Sequence, residues 1–175
     1  MEFKKIEESD KIQVFKLIDT VINDLDRKEF FIPYSEEEKK EFFNNNYSHL
    51  YGGYDGNKLV AMSQLIVDNE SIEEYYDILN IKKSENICEL AGYLVLKEYR
   101  KKGIMTKLSK MIYKLASELE FDYAIATAHP ENISSNIVLK KTGLELFDTI
   151  ITSSGYLRNI YLKKLKEVGN NDTRR

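Results

Sequence analysis

The sequence predicts an α/β domain built on a mixed sheet, and three observations lead there. Apolar strand-like runs in the first half are joined by short turns, as in hairpins. Those in the second half are separated by helical patterns, which call for crossover connections. Between the halves stands Tyr99-Arg100-Lys101-Lys102-Gly103-Ile104-Met105-Thr106, where an apolar run ends, a basic glycine-containing turn follows and a helical pattern opens.

Each element has its own signal. Phe3 to Glu7 reads as a strand. Ser9 or Asp10 is placed to cap a helix through Leu25, with Val14, Ile18, Val21, Ile22 and Leu25 on one face. Pro33 breaks the chain, and Ser35 starts a charged helix in which Glu36 and Lys40 stand at i,i+4. The run Glu36 to Glu41 reads as a solvated face. Tyr51 to Tyr54 and Leu59 to Val67 are strands joined by Asp55-Gly56-Asn57, a hairpin signal. Residues 69–86 are polar, with room for a short helix. Ile87 to Leu96 is a strand and Thr106 to Leu119 a helix, whose stripe Leu108, Met111, Ile112, Leu115 and Leu119 faces the core. Tyr123 to Thr127 is a strand closed by His129-Pro130, and Ser134 to Thr142 a short helix ending at Gly143. Leu144 to Ile151 and Tyr156 to Leu165 are two last strands around Ser153-Ser154-Gly155. Residues 1–167 form one domain without repeats or linkers, and the tail 168–175 is expected to be disordered.

Composition narrows the classes. The 175 residues are 42% hydrophobic and 31% charged, ordinary for a globular protein. A net charge of −3 argues against a general nucleic-acid binder, so any positive patch is local. The single cysteine, Cys88, cannot form an intrachain disulfide, which fits a cytoplasmic address. Near Ile87 and Leu90 it reads as a buried thiol. No apolar run approaches the ~18 residues of a membrane span, and the opening MEFKKIEESD lacks the apolar core of a secretory signal. Neither a metal, a membrane nor a nucleic-acid partner is expected.

The turn from Arg100 to Thr106 directs main-chain N–H groups and the positive end of a helix dipole at one spot, an arrangement suited to a phosphate. Arg100-Lys101-Lys102-Gly103-Ile104-Met105 resembles the pyrophosphate loop Gln/Arg-x-x-Gly-x-Gly/Ala of the GNAT superfamily of acetyl-coenzyme A-dependent N-acetyltransferases, although Met105 departs from the small residue. One helix and one strand later, the block from Asn132 to Leu144 resembles that family's Asn-x-x-Ala/Ser-x-x-Leu-Tyr-x-Lys-x-Gly-Phe stretch. The resemblance covers residues 1–165 and is strongest from Glu89 to Leu144. It implies a mixed, mostly antiparallel sheet of about 6–7 strands flanked by about four helices.

It also implies acetyl-CoA as co-substrate. The N–H groups of Lys102, Gly103, Ile104, Met105 and Thr106 would cradle the pyrophosphate, with Arg100 heading the loop. Gly103 lets the backbone approach without a Cβ, and Met105 must turn its side chain away. Lys101 and Lys102 would meet the 3′-phosphate or remain solvated. Tyr93, Leu94 and Val95 map onto the strand that pairs with the pantetheine arm. Asn132 would contact that arm and cap the following helix, with Ser134 or Ser135 sharing the capping.

The implied reaction is direct acyl transfer in a ternary complex, a strand amide around Leu94 stabilising the oxyanion. Glu89 is the first candidate base: it lies six residues before Val95 and shares its face if the strand is unbulged, whereas a bulge changes that parity. His129, at the carboxyl end of a strand, is the second. His49 reads as plain surface in a loop. Leu139 stands where family members often carry a tyrosine that protonates the leaving thiolate; Tyr156 is a distant substitute.

The acceptor is expected to be a primary amine of a small metabolite or amino-acid-like molecule, reached between the first two helices, the 69–86 segment and the last hairpin. Glu73, Glu74 and Asp77 suit a cation, or form a solvated acidic face, whereas Arg158 suits a carboxylate. A protein or peptide N-acetyltransferase is the alternative. From another class, Leu139 allows a catalytically weak module that senses acetyl-CoA. A monomer or a homodimer is expected.

Overall fold

The computed structural model describes residues 1–68 and 70–166; the tail expected to be disordered lies outside the described residues. Strand β1 (Glu2–Lys5) leads into α1 (Lys11–Asn23) and α2 (Glu36–Glu41), followed by β2 (Ser48–Asp55), β3 (Lys58–Ile66), α3 (Glu70–Ile78) and β4 (Ile87–Val95). The second half runs α4 (Ile104–Glu118), β5 (Tyr123–Ala128), α5 (Ile133–Thr142), β6 (Glu145–Ile151) and β7 (Leu157–Lys164). Helix α3 is the short helix that the polar segment has room for, and it brings the α-helices among the described residues to five.

The seven strands form one sheet in the order β1-β2-β3-β4-β5-β7-β6. Only β4 and β5 run parallel, joined by the α4 crossover; every other neighbouring pair is antiparallel. Helix α1 covers one face through Val14, Leu17, Ile18 and Val21, joined by Phe42 just past α2, and α3 adds Ile72 and Tyr75, with Leu79 just past its end, on that face. Helices α4 and α5 cover the other through Leu108, Ile112, Ala116 and Leu139. Among the described residues, no helix is long and apolar enough to cross a membrane.

Two features of β4 shape everything downstream. It pairs with β5 only from Ile87 to Glu89, opposite Tyr123 to Ile125, so the two strands part company beyond Glu89. On its other side, Gln64 of β3 faces Ala91 but Met62 faces Leu94, so β4 carries one extra residue at Gly92-Tyr93. Gly92 takes φ +61°, and a Cβ there would stand 2.8 Å from the Tyr34 hydroxyl and 2.9 Å from Gln64 Cβ. The bulge inverts the side-chain alternation. Glu89 and Ala91 point to the α1–α3 face, whereas Tyr93 and Val95 pack toward α4. The face shared by Glu89 and Val95 in an unbulged strand is therefore lost, and Leu94 moves onto the side of Glu89.

Local differences from the sequence reading have simple causes. Asp10 makes no capping bond; its carboxylate accepts from the Tyr54 hydroxyl at 2.8 Å and from Gln13 Nε2 at 3.3 Å. Ser35 and Glu38 instead form a reciprocal capping box at the start of α2. Glu36 pairs with Lys39 at i,i+3 rather than with Lys40. On α4 the buried column is Ile104, Leu108, Ile112 and Ala116, spaced every four residues, which leaves Leu119 44% exposed past the helix end. His49 lies half-buried on β2, where burial lowers its pKa.

Gly92→Ala should lower stability in urea denaturation by about 2–4 kcal/mol, because strained backbone and steric overlap add. Gly103→Ala, with φ +73° but open space around the new Cβ, should cost only about 1 kcal/mol. Equal losses for the two would remove the steric argument for the bulge.

Candidate active site

The divergence of β4 from β5 opens a cleft of about 320 Å³ on the α1–α3 face. Its walls come from Val21 of α1, Leu25 just past that helix, the loop from Phe30 to Tyr34, Glu38 of α2, and Glu74 and Tyr75 of α3. Its floor is β4 from Glu89 to Leu94 with Thr127 and Ala128 of β5; Asn132, Ser135, Thr152, Ser154 and Arg158 complete it.

Glu89 is the only carboxylate on the β4 floor. Loss of hydration in the cleft, reinforced by the negative charge of Glu38, pushes its pKa up to about 7. Such a group sits at the balance point between holding and releasing a proton near neutrality. Burial pushes the phenol of Tyr75 far up, and its hydroxyl is hydrogen-bonded to Thr127, so Tyr75 stays protonated beside Glu89. Tyr34, likewise held protonated by burial, donates to Gln64 Oε1 at 3.0 Å directly over the Gly92 bulge.

His129 lies elsewhere. It is 6% exposed, its ring sits 5.3 Å from that of Phe30, and its Nδ1 accepts from the Glu131 N–H at 3.2 Å. It is not part of the cleft lining. The loop that carries it is organised by Asn136, which donates to the carbonyls of Asn132 at 2.7 Å and His129 at 3.0 Å and accepts from Tyr161 and Asn159. Asn132 accepts from the Ser135 N–H at 3.2 Å and caps α5. Asn136 sits inside a block singled out on sequence, but its role as a hub depends on β7 contacts that spacing does not show.

The basic turn stands at the start of α4. Gly103 is its N-cap in left-handed geometry and provides no side-chain cap, so the first-turn N–H groups of Ile104, Met105 and Thr106 face outward without one. Lys101 is also left-handed, at φ +61°. Met105 turns its side chain toward the cluster of Ala61, Ile104 and Leu108, leaving its amide clear. Arg100 Nε donates to the Val95 carbonyl at 3.1 Å, fastening the turn to the end of β4. Lys102 lies over the Tyr99 ring, and Lys101 is exposed. Between turn and cleft runs the unpaired edge of β4: Tyr93, hydrogen-bonded to Ser109 at 2.9 Å; Leu94, buried toward α1; and Val95.

Burial also raises the Cys88 thiol pKa, and its Sγ approaches the Tyr123 carbonyl at 3.5 Å in the α4–α5 core. Leu139 is fully buried in the same core, so no ionisable group occupies that position. Of the acidic residues of α3, Glu73 pairs with Lys83, whereas Glu74 accepts from the Ser153 N–H at 3.0 Å and the Ser153 hydroxyl at 2.9 Å.

A family model described as the acetyltransferase (GNAT) family matches residues 20–144. No curated protein matches by sequence. Among solved structures, the fold is similar to an N-acetyltransferase from Staphylococcus aureus Mu50, 15% identical with a TM-score of 0.68 over 94% of this chain and 97% of that one. It is similar to a ribosomal-protein-alanine N-acetyltransferase from Brucella melitensis, 17% identical with a TM-score of 0.69 over 94% and 100%. RimL, a ribosomal L7/L12 alpha-N-protein acetyltransferase in complex with coenzyme A, matches at 14% identity and a TM-score of 0.64 over 93% of each chain. At these identities the likeness is one of fold.

The raised pKa of Glu89 has a stability consequence. Below its ordinary pKa of 4.5 both folded and unfolded chains hold the proton; between there and about 7 only the folded chain does, so its stability falls as pH rises. Glu89→Gln escapes that loss. Its advantage in thermal unfolding should be absent at the acid end of the window and level off above neutrality at on the order of 3 kcal/mol.

Proposed function

The chain belongs to the GNAT acetyltransferase family, and from that premise we propose that it moves an acetyl group from acetyl-CoA to a primary amine of a small metabolite or amino-acid-like acceptor by direct transfer in a ternary complex. One observation carries the reading most. A carboxylate with a near-neutral pKa, Glu89, faces a cleft that begins where β4 parts from β5, on the same side of the bulged strand as Leu94.

The residues present fit coenzyme A. The uncapped start of α4, with open space around Gly103, suits the pyrophosphate, and the edge from Tyr93 to Val95, unpaired with β5 although Arg100 takes the Val95 carbonyl, offers main-chain groups to the pantetheine amides. Exposed Lys101 and Lys102 suit the 3′-phosphate, and Asn132 and Ser135 line the cleft across from β4. When bound, acetyl-CoA supplies the activated acetyl group.

The chain's own residues then have distinct tasks. Glu89 takes a proton from the acceptor ammonium, directly or through water, leaving the amine nucleophilic. A main-chain N–H near Leu94 donates to the carbonyl oxygen as charge gathers there. We assign no proton transfer to His129, whose Nδ1 is engaged with Glu131 outside the cleft. Leu139 provides no proton, so protonation of the departing sulfur falls to water or to a cleft hydroxyl. The tie of Glu74 to Ser153 joins α3 to the last hairpin and closes one side of the cleft, which favours a small acceptor over a polypeptide.

Thiol release from acetyl-CoA against a panel of amines tests the reading. Turnover should rise with pH with a half-maximum near 7 as Glu89 loses its proton, and Glu89→Gln should lower kcat by roughly 10²–10⁴-fold. Gly103→Asp, which sets a carboxylate in the phosphate site, should weaken coenzyme A binding in calorimetry by at least about tenfold. Coenzyme A binding without turnover on any amine would favour the sensor, and no coenzyme A binding at all would end both readings.

A further inference from the structure

The cleft holds a second ionic group that proton transfer from the amine does not use. Arg158, on β7, is only 2% exposed and lines the cleft. Its Nη1 donates to the carbonyl of neighbouring Leu157 at 2.8 Å, while Nη2 is buried with no hydrogen-bond partner. No carboxylate pairs with it among the described residues; the groups acting on its charge are Tyr156 and Tyr75, and loss of hydration lowers its pKa. A buried guanidinium left half unpartnered is costly to a fold, so its retention points to a ligand.

Its place in the sheet says where that ligand lies. Asn159 pairs with Ala128, the last residue of β5, so Arg158 stands one step beyond the end of β5, across the opening from β4. The Tyr156 ring holds the guanidinium from one side, 5.2 Å from Cζ. The hairpin bearing it is anchored to α3 by Glu74 and Ser153. The same cleft holds the carboxylates of Glu89 on the floor and Glu38 on the wall, while Glu74 is already bonded to Ser153. A cleft that offers carboxylates together with one unpaired guanidinium matches a molecule with an ammonium and an anionic group.

Resting on the acetyl-transfer reading, we propose that the acceptor is an amino acid or close analogue with a free carboxylate, bound by the Arg158 fork while its amine lies toward Glu89. A planar carboxylate accepts two parallel, charge-assisted N–H bonds from the fork, the unpartnered Nη2 included, which a neutral carboxamide does not match. Arg158 is thus a specificity determinant, remote from the proton that Glu89 accepts.

Matched pairs of probes test this: the L-amino acids and their carboxamides, each assayed by thiol release with wild type, Arg158→Lys and Arg158→Met. At least one free acid should be acetylated with kcat/KM roughly 10²-fold above its amide. That ratio should fall toward one in Arg158→Met and take an intermediate value in Arg158→Lys, which keeps the charge but loses the fork. N-acetylated amino acids should raise the thermal midpoint of wild type and not that of Arg158→Met. Equal rates for acid and amide in wild type, or an equal loss of both in the Arg158 variants, would overturn the proposal while leaving acetyl transfer intact. Inertness of every amine would instead strike the acetyl-transfer reading, and the thermal shift would then decide on Arg158 alone.

Discussion

The extra residue at Gly92 is the constraint on which the rest depends. It reverses the alternation of β4 midway, so one strand supplies Glu89 and Leu94 to one face and Tyr93 and Val95 to the other. It also coincides with the loss of pairing to β5, so main-chain groups remain available along an edge inside the sheet. Only a residue without a Cβ fits beneath Tyr34 at that φ. The bulge and the parting from β5 just before it together give the cleft, the polar edge and the common side of Glu89 and Leu94.

The helices divide the work around that departure. Helix α4 presents uncapped amides to solvent while its buried column grips β3 and β4, so the end proposed for the pyrophosphate is fixed by core packing. The proposed acceptor side is built from less regular parts: a loop with Phe30 and Tyr34, a six-residue α2, and α3 fastened to a hairpin. Hydration is stripped from both Glu89 and Arg158 there, and each is shifted toward its neutral form for that reason. Cofactor chemistry is constant across a family and suits a rigid frame, whereas acceptor recognition varies and suits loops.

Much of this was legible in the chain. The Gly56 turn, the Gly143 helix stop, the crossover between β4 and β5 and the basic turn before α4 all rest on local chemistry. The bulge was visible only as a condition: a single glycine in an apolar run does not reveal which partner residue it skips. Hence the face of Glu89 required the β3 register. The burial of His129 was not legible, because it depends on Phe30, about a hundred positions earlier. Tyr75 and Tyr34 carried no motif at all; only the folded sheet brings them over the cleft floor.

The capping box of α2 has a reach beyond its own helix. The Glu38 carboxylate accepts from the Ser35 N–H at 2.7 Å and also lines the cleft, where its charge helps raise the proton affinity of Glu89. Such coupling is reciprocal. The two negative charges repel, so a cap that holds the Glu38 carboxylate in place also holds that repulsion at the cleft. One side chain thus starts a helix and shapes the electrostatic surroundings of the cleft floor, so the sequence of α2 is tied to the proton affinity of Glu89.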